Sequence, residues 1–183
     1  LFTGPSGCGK TTLARIVATR LNCLDNSVIE VDAARYSGID AMRELLIGAQ
    51  YQSLGDSRRK FYIIDEAHAL SKATWQTLLK NVEEPQSHLY WAFCTTEAEK
   101  IPETIRTRCH AYDLKPVKWD LLAEYLAAIC LEEKLHVQTE FIDIAARKAQ
   151  GSVRQGLVYL SMLDGITQKD EALRLVEDFE AQT

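Results

Sequence analysis

A glycine-rich turn near the start of the chain constrains the fold more than any other feature of the sequence. Residues 4–11, Gly-Pro-Ser-Gly-Cys-Gly-Lys-Thr, fit the pattern G-x-x-x-x-G-K-[ST] of a phosphate-binding loop. Apolar residues precede the turn, and the residues after it carry apolar side chains at the spacing of an amphipathic helix, namely Leu13, Ile16, Val17 and Leu21. A strand, a glycine turn and a helix in this order predict an α/β protein that binds nucleotide phosphates. The alternative, a chance glycine-rich turn, is disfavoured by both flanking elements.

The residues of this turn are of the types that bind ATP. Glycines let successive backbone N–H groups converge on phosphate oxygens at the N-terminus of a helix. Lys10 would reach the β- and γ-phosphates, and the hydroxyl of Thr11 would bind Mg²⁺. We therefore expect the nucleotide to contact Gly4, Pro5, Ser6, Gly7, Cys8, Gly9, Lys10, Thr11 and Thr12.

A second motif, an apolar stretch that ends in Asp65 and Glu66, is typical of a strand buried in a parallel sheet. Asp65 would hold Mg²⁺, partly through water, and Glu66 would orient and deprotonate the attacking water. The alternative is two acids that solvate the end of a strand. His68 completes Asp-Glu-Ala-His, which is also found in DEAH-box helicases. Those helicases carry two nucleotide-binding domains in tandem and this chain shows one, so we interpret His68 as a bystander.

The order of apolar segments predicts the organisation of the chain. The segments SVIEVD, KFYIID, LYWAFC and HAYDL favour strands, and they alternate with helical patterns up to Lys115. One of these helices would begin after Ser71 and bury Trp75, Leu78, Leu79 and Val82. Such alternation predicts βαβ units around a parallel sheet.

From Trp119 onward only helical periodicity remains. It is clearest in a first segment with Leu121, Leu122, Tyr125, Leu126 and Ile129, and three more segments lie near 139–149, 153–164 and 169–179. We predict an α/β domain over residues 1–115 and a small all-α domain over 116–183.

Charge and cysteine content limit the partners of the chain. The net charge of −5 gives no global basic field, so any contact with nucleic acid requires a local patch. Five scattered cysteines without a C-x-x-C pair indicate reduced thiols rather than disulfides or a zinc site. No apolar run reaches the length of a membrane span. The chain starts without Met inside a predicted strand, so we expect it to be a fragment of a longer polypeptide.

Six segments occur in one order at compatible spacing: GPSGCGKTTLARIVATRLNC, IEVDAA, YIIDEAHALS, LLKNVEEPQ, CTTEAEKIPETIRTRC and GSVRQGL. Together they resemble an AAA+ clamp-loader ATPase subunit, most closely bacterial DNA polymerase III gamma/tau and more distantly the small subunits of replication factor C. The resemblance implies an AAA+ sheet with a helical lid, and MgATP bound between them. It also implies other loader subunits in a pentameric ring or spiral, a sliding clamp, primer–template DNA, and a bacterial or viral replication machinery in the cytoplasm.

The resemblance also implies roles for particular residues. Thr96 would be sensor 1, a polar group that senses the γ-phosphate, and Arg154 in Gly-Ser-Val-Arg would be sensor 2. Arg108 in Thr-Arg-Cys would be an arginine finger that acts in trans on the nucleotide of the next subunit. From the residues alone, the favoured interpretations are a strand-end hydroxyl for Thr96 and a solvated helix arginine for Arg154.

Basic residues on one face of the helix after Ser71 would contact DNA. Lys72, Gln76 and Lys80 lie opposite its apolar stripe, at i, i+4 and i+8. In clamp loaders similar helices follow the phosphate backbone, and Lys80 and Lys100 match basic positions there. A solvated charged face is the alternative, above all for Lys72. Phosphate contacts of this kind depend on salt and not on base sequence.

Two departures from the bacterial gamma pattern leave room for a viral or divergent loader. Cys23 is not followed by the cysteine-rich zinc module, and after Asp-Ala-Ala only Arg35 is basic, where gamma subunits often place several basic residues. The resemblance also implies a collar domain that joins loader subunits, which we expect residues 1–183 not to include. Rival functions are another AAA+ motor, such as a branch-migration motor or a helicase loader, and a structural loader subunit that does not hydrolyse ATP. LLKNVEEP argues against the first, and the retention of Lys10, Asp65 and Glu66 argues against the second.

Overall fold

The computed structural model describes residues 1–35, 38–50 and 59–182. These residues fall into two units: Leu1–Gly4 with Lys10–Leu114, and Pro5–Gly9 with Lys115–Thr183. The first unit contains a sheet with helices, and the second contains helices alone. This is the predicted α/β architecture of a P-loop NTPase of the AAA+ type, followed by an all-α segment.

Five strands of the described residues form the sheet of the first unit, and every neighbouring pair is parallel. In chain order they are β1 Phe2–Thr3, β2 Val28–Asp32, β3 Lys60–Asp65, β4 Leu89–Thr95 and β5 Tyr112–Asp113. Their order across the sheet is β2-β3-β4-β1-β5. The register pairs Phe2 with Cys94 on one side and with Tyr112 on the other. All the predicted strands are confirmed, and the carboxyl ends of β1, β3 and β4 meet at one edge of the sheet.

In the described part of this unit, four helices accompany the sheet: α1 Lys10–Arg20, α2 Ile39–Gln50, α3 Lys72–Glu83 and α4 Glu103–Arg106. Single 3-10 turns lie at Asp25–Ser27, Ala67–Ala69 and Ala98–Lys100. The α3 helix begins as predicted, because the Ser71 hydroxyl accepts a hydrogen bond of 3.1 Å from the Thr74 backbone N–H. Trp75 and Leu78 are buried in α3, whereas Lys72 and Lys80 are exposed. The predicted division of this helix into a buried and a solvated face is confirmed.

The predicted buried stripe of α1 is wrong in one position. Ile16 is 50% exposed, whereas Ala14 and Ala18 are fully buried against the sheet. Leu13 and Val17 flank the alanines and are partly buried. The helix therefore packs through its small residues, with the side chain of Ile16 on the opposite side.

The second unit consists of α5 Trp119–Glu133, α6 Thr139–Lys148, α7 Val153–Met162 and α8 Lys169–Gln182. Its core includes Leu126, Phe141 and Tyr159. The four helices confirm the predicted periodicity, but the face of α5 needs a correction. Leu121 and Tyr125 are 54% and 45% exposed, because α5 buries the row Leu122, Leu126 and Cys130 instead.

The part of the chain that the structure describes has no helix long and apolar enough to cross a membrane. Within the same residues, no three His, Cys, Asp or Glu side chains are grouped so that they could hold a metal ion.

Candidate nucleotide-binding site

Two residues of the predicted magnesium site lie in direct contact. Thr11 is in the first turn of α1 and Asp65 is the last residue of β3. The Thr11 hydroxyl donates a hydrogen bond of 2.9 Å to Oδ2 of Asp65. Oδ1 of the same carboxylate accepts a bond of 3.0 Å from the Glu66 backbone N–H. A hydroxyl and a carboxylate at this distance are a pair of hard oxygen ligands that suits Mg²⁺.

Lys10 is the predicted phosphate-binding cation, and it is 7% exposed. Its Nζ donates a hydrogen bond of 2.9 Å to the carbonyl oxygen of Gly4, where the glycine turn begins. Burial of an ammonium group is costly unless the group is paired. The position suits a lysine that binds an anion at the N-terminus of α1.

Residues Pro5–Gly9 of the turn belong with the helical unit, where they contact the start of α7. The carbonyl oxygen of Gly7 accepts hydrogen bonds from the backbone N–H groups of Val153, at 2.9 Å, and Arg154, at 3.4 Å. Gly7 has a φ of +73°, and a Cβ atom there would lie 2.0 Å from the hydroxyl oxygen of Ser152. Glycine is therefore required at this position for two independent reasons.

The remaining residues of the turn differ in exposure. Pro5, Ser6 and Thr12 are exposed, Cys8 is buried, and the φ of Gly9 is +94°. The Arg154 side chain is exposed in the first turn of α7.

Glu66, the predicted base, has an unusual backbone and an unusual side chain. Its φ of 49° places it in the left-handed region, which costs a residue other than glycine about 1–2 kcal/mol. Its Oε2 atom is buried and forms no hydrogen bond with the described residues. Nδ1 of His68 lies 3.4 Å from this oxygen. A carboxylate oxygen with unused acceptor capacity next to the candidate metal ligand Asp65 can take a proton from water.

The interpretation of His68 as a bystander in the chemistry stays a prediction, but its ring contacts several polar side chains. Its Nδ1 lies 3.0 Å from the Thr95 hydroxyl, and its Nε2 lies 3.2 Å from Oε1 of Glu97. Oε2 of Glu97 pairs in turn with Nζ of Lys100 at 2.7 Å. The hydrogen bond from Lys100 lowers the pKa of Glu97 below its usual range. The sequence motif contained His68, but only the fold shows that it stands between two carboxylates.

Two adjacent threonines end β4, and they differ in environment. Thr95 is fully buried, and its hydroxyl contacts His68 and accepts a bond of 3.0 Å from the Glu97 backbone N–H. Thr96, the predicted sensor, is exposed immediately after the strand. The neighbouring Cys94 is inert, because burial raises its pKa to about 12.

Arg108 lies far from this cluster, at the amino edge of the sheet. It lines a cavity of about 300 Å³ together with residues at the beginnings of strands, including Leu1, Phe61 and Leu89. The backbone nitrogen of Leu1 donates a bond of 2.8 Å to the carbonyl oxygen of His110, which anchors the segment after Arg108 to that edge. The seven residues of β4 separate the two edges. At about 3.3 Å per residue, this distance is about 20 Å.

The guanidinium of Arg108 has two partners on its own chain. Nη2 pairs with Oε1 of Glu83 at 2.8 Å, and Nη1 donates a bond of 2.7 Å to the carbonyl oxygen of Thr104. Glu83 is the last residue of α3. Sequence reasoning missed Glu83, although it lies within LLKNVEEP, because the contact joins the ends of two separate helices.

The predicted DNA-contacting lysines do not share one environment. Lys72 and Lys80 are exposed on α3, whereas Lys100 is paired with Glu97. Lys72 and Lys80 remain available on one helix face, and Lys100 would have to exchange a partner to bind a phosphate.

Comparison with known proteins finds similarity to subunits of DNA polymerase III. A family model described as DNA polymerase III, delta subunit, matches residues 25–118. DNA polymerase III subunit gamma/tau of Mycoplasma pneumoniae is 36% identical over 94% of this chain and 28% of its own length. The corresponding values are 38%, 89% and 32% for gamma/tau of Mycobacterium tuberculosis. For subunit tau of Escherichia coli they are 33%, 97% and 33%. The chain thus spans about a third of these relatives.

Solved structures support the fold. The Holliday junction branch migration motor RuvB of Thermotoga maritima superposes with a TM-score of 0.77 at 20% identity, over 96% of this chain and 60% of that one. Variants of the same protein give TM-scores from 0.74 to 0.78. At this level of identity the similarity shows a common fold and carries no further statement about activity.

Proposed function

The chain belongs to the family described as DNA polymerase III, delta subunit, and from that premise we propose that it is the ATP-hydrolysing motor part of a sliding-clamp loader subunit. The observation that carries the proposal is the division of the site residues between two edges of the sheet. Thr11, Asp65 and Glu66 gather at the carboxyl edge, and Arg108 lies at the amino edge. A complete site would then form only between neighbouring subunits.

The residues present fit ATP with Mg²⁺. The glycine turn and the buried Lys10 would bind the phosphates, and the Thr11–Asp65 pair would hold the metal ion. When bound, Mg²⁺ neutralises charge on the phosphate oxygens. The hydrogen bonds of Asp65 to the Thr11 hydroxyl and to the Glu66 backbone N–H would hold this pair in place.

Hydrolysis would depend on a small number of groups on the same chain. The carboxylate of Glu66 takes a proton from the attacking water, and its buried, unsatisfied Oε2 supports this role. The exposed hydroxyl of Thr96 would orient that water as sensor 1. Arg154 would act as sensor 2, which is supported by the bond between its backbone and Gly7 of the turn.

Arg108 would stabilise charge on the phosphoryl group in the neighbouring subunit. An arginine at the amino edge is about 20 Å from the carboxyl edge of its own sheet, which exceeds the reach of any side chain. Arg108 could instead reach a nucleotide bound to a neighbouring subunit, either a second copy of this chain or a related one. Arginine fingers that act in this way contribute about 10³–10⁵ in rate.

DNA would bind through phosphate contacts of Lys80 and Lys72 on α3, with Lys100 as a further contact. A clamp loader needs no base-specific readout, and lysines on one helix face provide none. ATP binding would favour the assembled state that grips primer–template DNA and an open clamp, and hydrolysis would release the loader.

A branch-migration motor is the rival function, because RuvB shares the fold. The polymerase III relatives favour the loader, since they are 33–38% identical where RuvB is 20% identical.

One measurement tests the proposal. The full-length protein is assembled with its partner subunits, and its ATPase rate is measured with and without primed DNA and a sliding clamp. Stimulation that requires both ligands together supports a loader. Stimulation by four-way junction DNA without a clamp would support the rival, and the absence of any ATPase activity would leave a structural subunit.

A further inference from the structure

The side chain that would act in the neighbouring subunit is held by a carboxylate of its own chain. Glu83 Oε1 lies 2.8 Å from Nη2 of Arg108, and the Thr104 carbonyl oxygen lies 2.7 Å from Nη1. Nη1 also lies 3.5 Å from the Thr107 hydroxyl. These contacts arise on two elements, the C-terminal end of α3 and the short α4 with its capping residue. They hold the guanidinium from two directions.

The position of Glu83 is unfavourable for the stability of α3. We therefore looked for a role of this carboxylate other than stabilising the helix. It is the last residue of α3, where the carbonyl end of the helix dipole repels a carboxylate. The next residue, Glu84, is also acidic and is exposed without an ion pair to a described residue. A positive partner is needed at this end of α3, and Arg108 supplies it from another element.

The bonds leave part of the guanidinium free to act. An arginine presents five N–H donors, and the contacts with Glu83, Thr104 and Thr107 use three of them. The Arg108 side chain is 40% exposed, so the unused donors lie on a group that solvent reaches. The planar fork can therefore keep its intrachain partners while a further anion binds.

We propose that Glu83 is a positioning residue that fixes the guanidinium of Arg108 for action on the nucleotide of the neighbouring subunit. This inference rests on the proposed function of Arg108 and goes beyond it. An arginine side chain without partners adopts many rotamers, and it would lose this conformational entropy on binding a phosphate. An arginine held in advance loses less freedom when the neighbour arrives, so a larger share of its interaction acts in the transition state.

The test uses the full-length protein in its loader assembly, with primed DNA and clamp. Glu83→Ala removes both the charge and the acceptor, and we expect the stimulated kcat to fall roughly 10- to 100-fold, as for a misplaced catalytic group. The KM for ATP should stay unchanged, because the nucleotide binds at the other edge of the sheet. Glu83→Gln keeps an oxygen acceptor and should lose less than Glu83→Ala. Glu84→Ala, which removes the adjacent carboxylate, is the matched control and should behave as wild type.

A double-mutant cycle separates positioning from a structural role. In the Arg108→Ala background, Glu83→Ala should have no further effect on kcat, since the group that it positions is gone. If the two losses multiply instead, Glu83 acts through the fold and the inference is wrong. A stimulated rate that rises in Glu83→Ala or Glu83→Gln would also overturn it, because Glu83 would then restrain Arg108.

The same variants distinguish this inference from the proposal beneath it. If Arg108→Ala keeps the stimulated rate, the assignment of Arg108 in trans fails and the inference fails with it. If Arg108→Ala abolishes stimulation while Glu83→Ala and Glu83→Gln keep it, only the positioning role of Glu83 fails. Should Glu83→Ala assemble poorly, as sedimentation would show, the isosteric Glu83→Gln decides the question alone.

Discussion

The hydroxyl of Thr11 donates a 2.9 Å hydrogen bond to the carboxylate of Asp65, which lies 54 positions later in the sequence. This contact joins the helix that follows the glycine turn to the end of β3, two strands away from β1 in the sheet. Two oxygen atoms of the kind that bind a divalent cation are thereby brought together. If this pair holds Mg²⁺ as we propose, each residue makes a contribution that can be measured separately.

Asp65→Asn should separate metal binding from folding. The amide oxygen of asparagine can accept the bond from the Glu66 backbone N–H, and its amide nitrogen can donate to the Thr11 hydroxyl, so we expect a thermal unfolding curve close to that of the wild type. Loss of the negative charge should weaken Mg²⁺-dependent ATP binding by about 10-fold or more, since a charge-assisted contact is worth about 1.5–3 kcal/mol. Titration of a fluorescent ATP analogue with and without Mg²⁺ measures this. Equal Mg²⁺ dependence in the variant and the wild type would remove Asp65 from the metal site.

Glu66→Gln should bind ATP normally and hydrolyse it very slowly. The variant would lose the proposed base and keep Thr11 and Asp65, the proposed metal ligands. General-base catalysis contributes about 10²–10⁴ in rate, so turnover should fall by that factor. Glu99→Gln, an exposed acid of the turn after β4, is the control. Turnover near wild type in Glu66→Gln would exclude Glu66 as the base.

Arg108→Ala should abolish the DNA- and clamp-stimulated ATPase of the assembled loader and preserve the ATP affinity of the isolated chain. A loss of about 10³–10⁵ corresponds to roughly 4–7 kcal/mol of barrier. An exposed ion pair contributes only about 0–1 kcal/mol, so no surface effect could imitate it. Arg106→Ala removes an exposed arginine two positions earlier and serves as the control.

Mixing two inactive proteins tests whether Arg108 acts in trans. Where an Arg108→Ala subunit receives the arginine of a Glu66→Gln neighbour, one complete site forms and some activity should return. Native mass spectrometry verifies that mixed assemblies are present. If those assemblies are as inactive as either parent, the arginine acts within its own chain.

Lys80→Glu should weaken binding of primed DNA and leave ATP affinity unchanged. Lys80 is exposed on α3 opposite the buried Trp75 and Leu78, so packing does not depend on it. Loss of one phosphate contact should reduce the slope of log K against log salt by about one. Lys134→Glu, which makes the same charge change on an exposed residue in the helical unit, controls for net charge. Identical slopes for the two variants would show that the α3 face is only solvated.

Gly151→Ala should destabilise the helical unit more than Gly165→Ala. Both glycines have a positive φ, +84° and +77°, so each substitution costs about 1–2 kcal/mol in backbone strain. A Cβ atom at Gly151 would also lie 2.5 Å from Cβ of Pro116 and 2.8 Å from the Val117 carbonyl oxygen, whereas nothing lies within 4 Å of one at Gly165. Overpacking adds about 1–3 kcal/mol. Thermal unfolding followed by circular dichroism compares the two, and equal shifts would refute the difference.

Contiguous features of the sequence predicted most of the fold. The apolar runs of β3 and β4 and the cap at Ser71 are local signals, and each lies where it was expected. Apolar periodicity was misleading for α1, because it gives more weight to Ile16 than to Ala14, and the closest approach to the sheet needs the smaller side chain.

Contacts between residues of separate helices or strands could not be predicted from contiguous sequence features. The pairing of Glu83 with Arg108 depends on where two helices end, and no periodic pattern encodes that distance. The contact between His68 and Glu97 could not be predicted either. It depends on the parallel register of β3 and β4, which brings the residues after the two strands together. The sequence shows which charged residues could form ion pairs, but which of them lie close together depends on the arrangement of the strands and helices.

The position of β1 between β4 and β5 also determines when the sheet can form fully during synthesis. Thr3 in β1 bonds to Asp113 in β5, 110 positions later, at 3.2 Å. Until β5 has left the ribosome, the strand that leads into the glycine turn lacks one of its two neighbours. Pairings this distant in sequence form late and slow folding. The glycine turn is therefore synthesised well before β5, and β1, which leads into the turn, gains its second neighbour only after β5 has emerged.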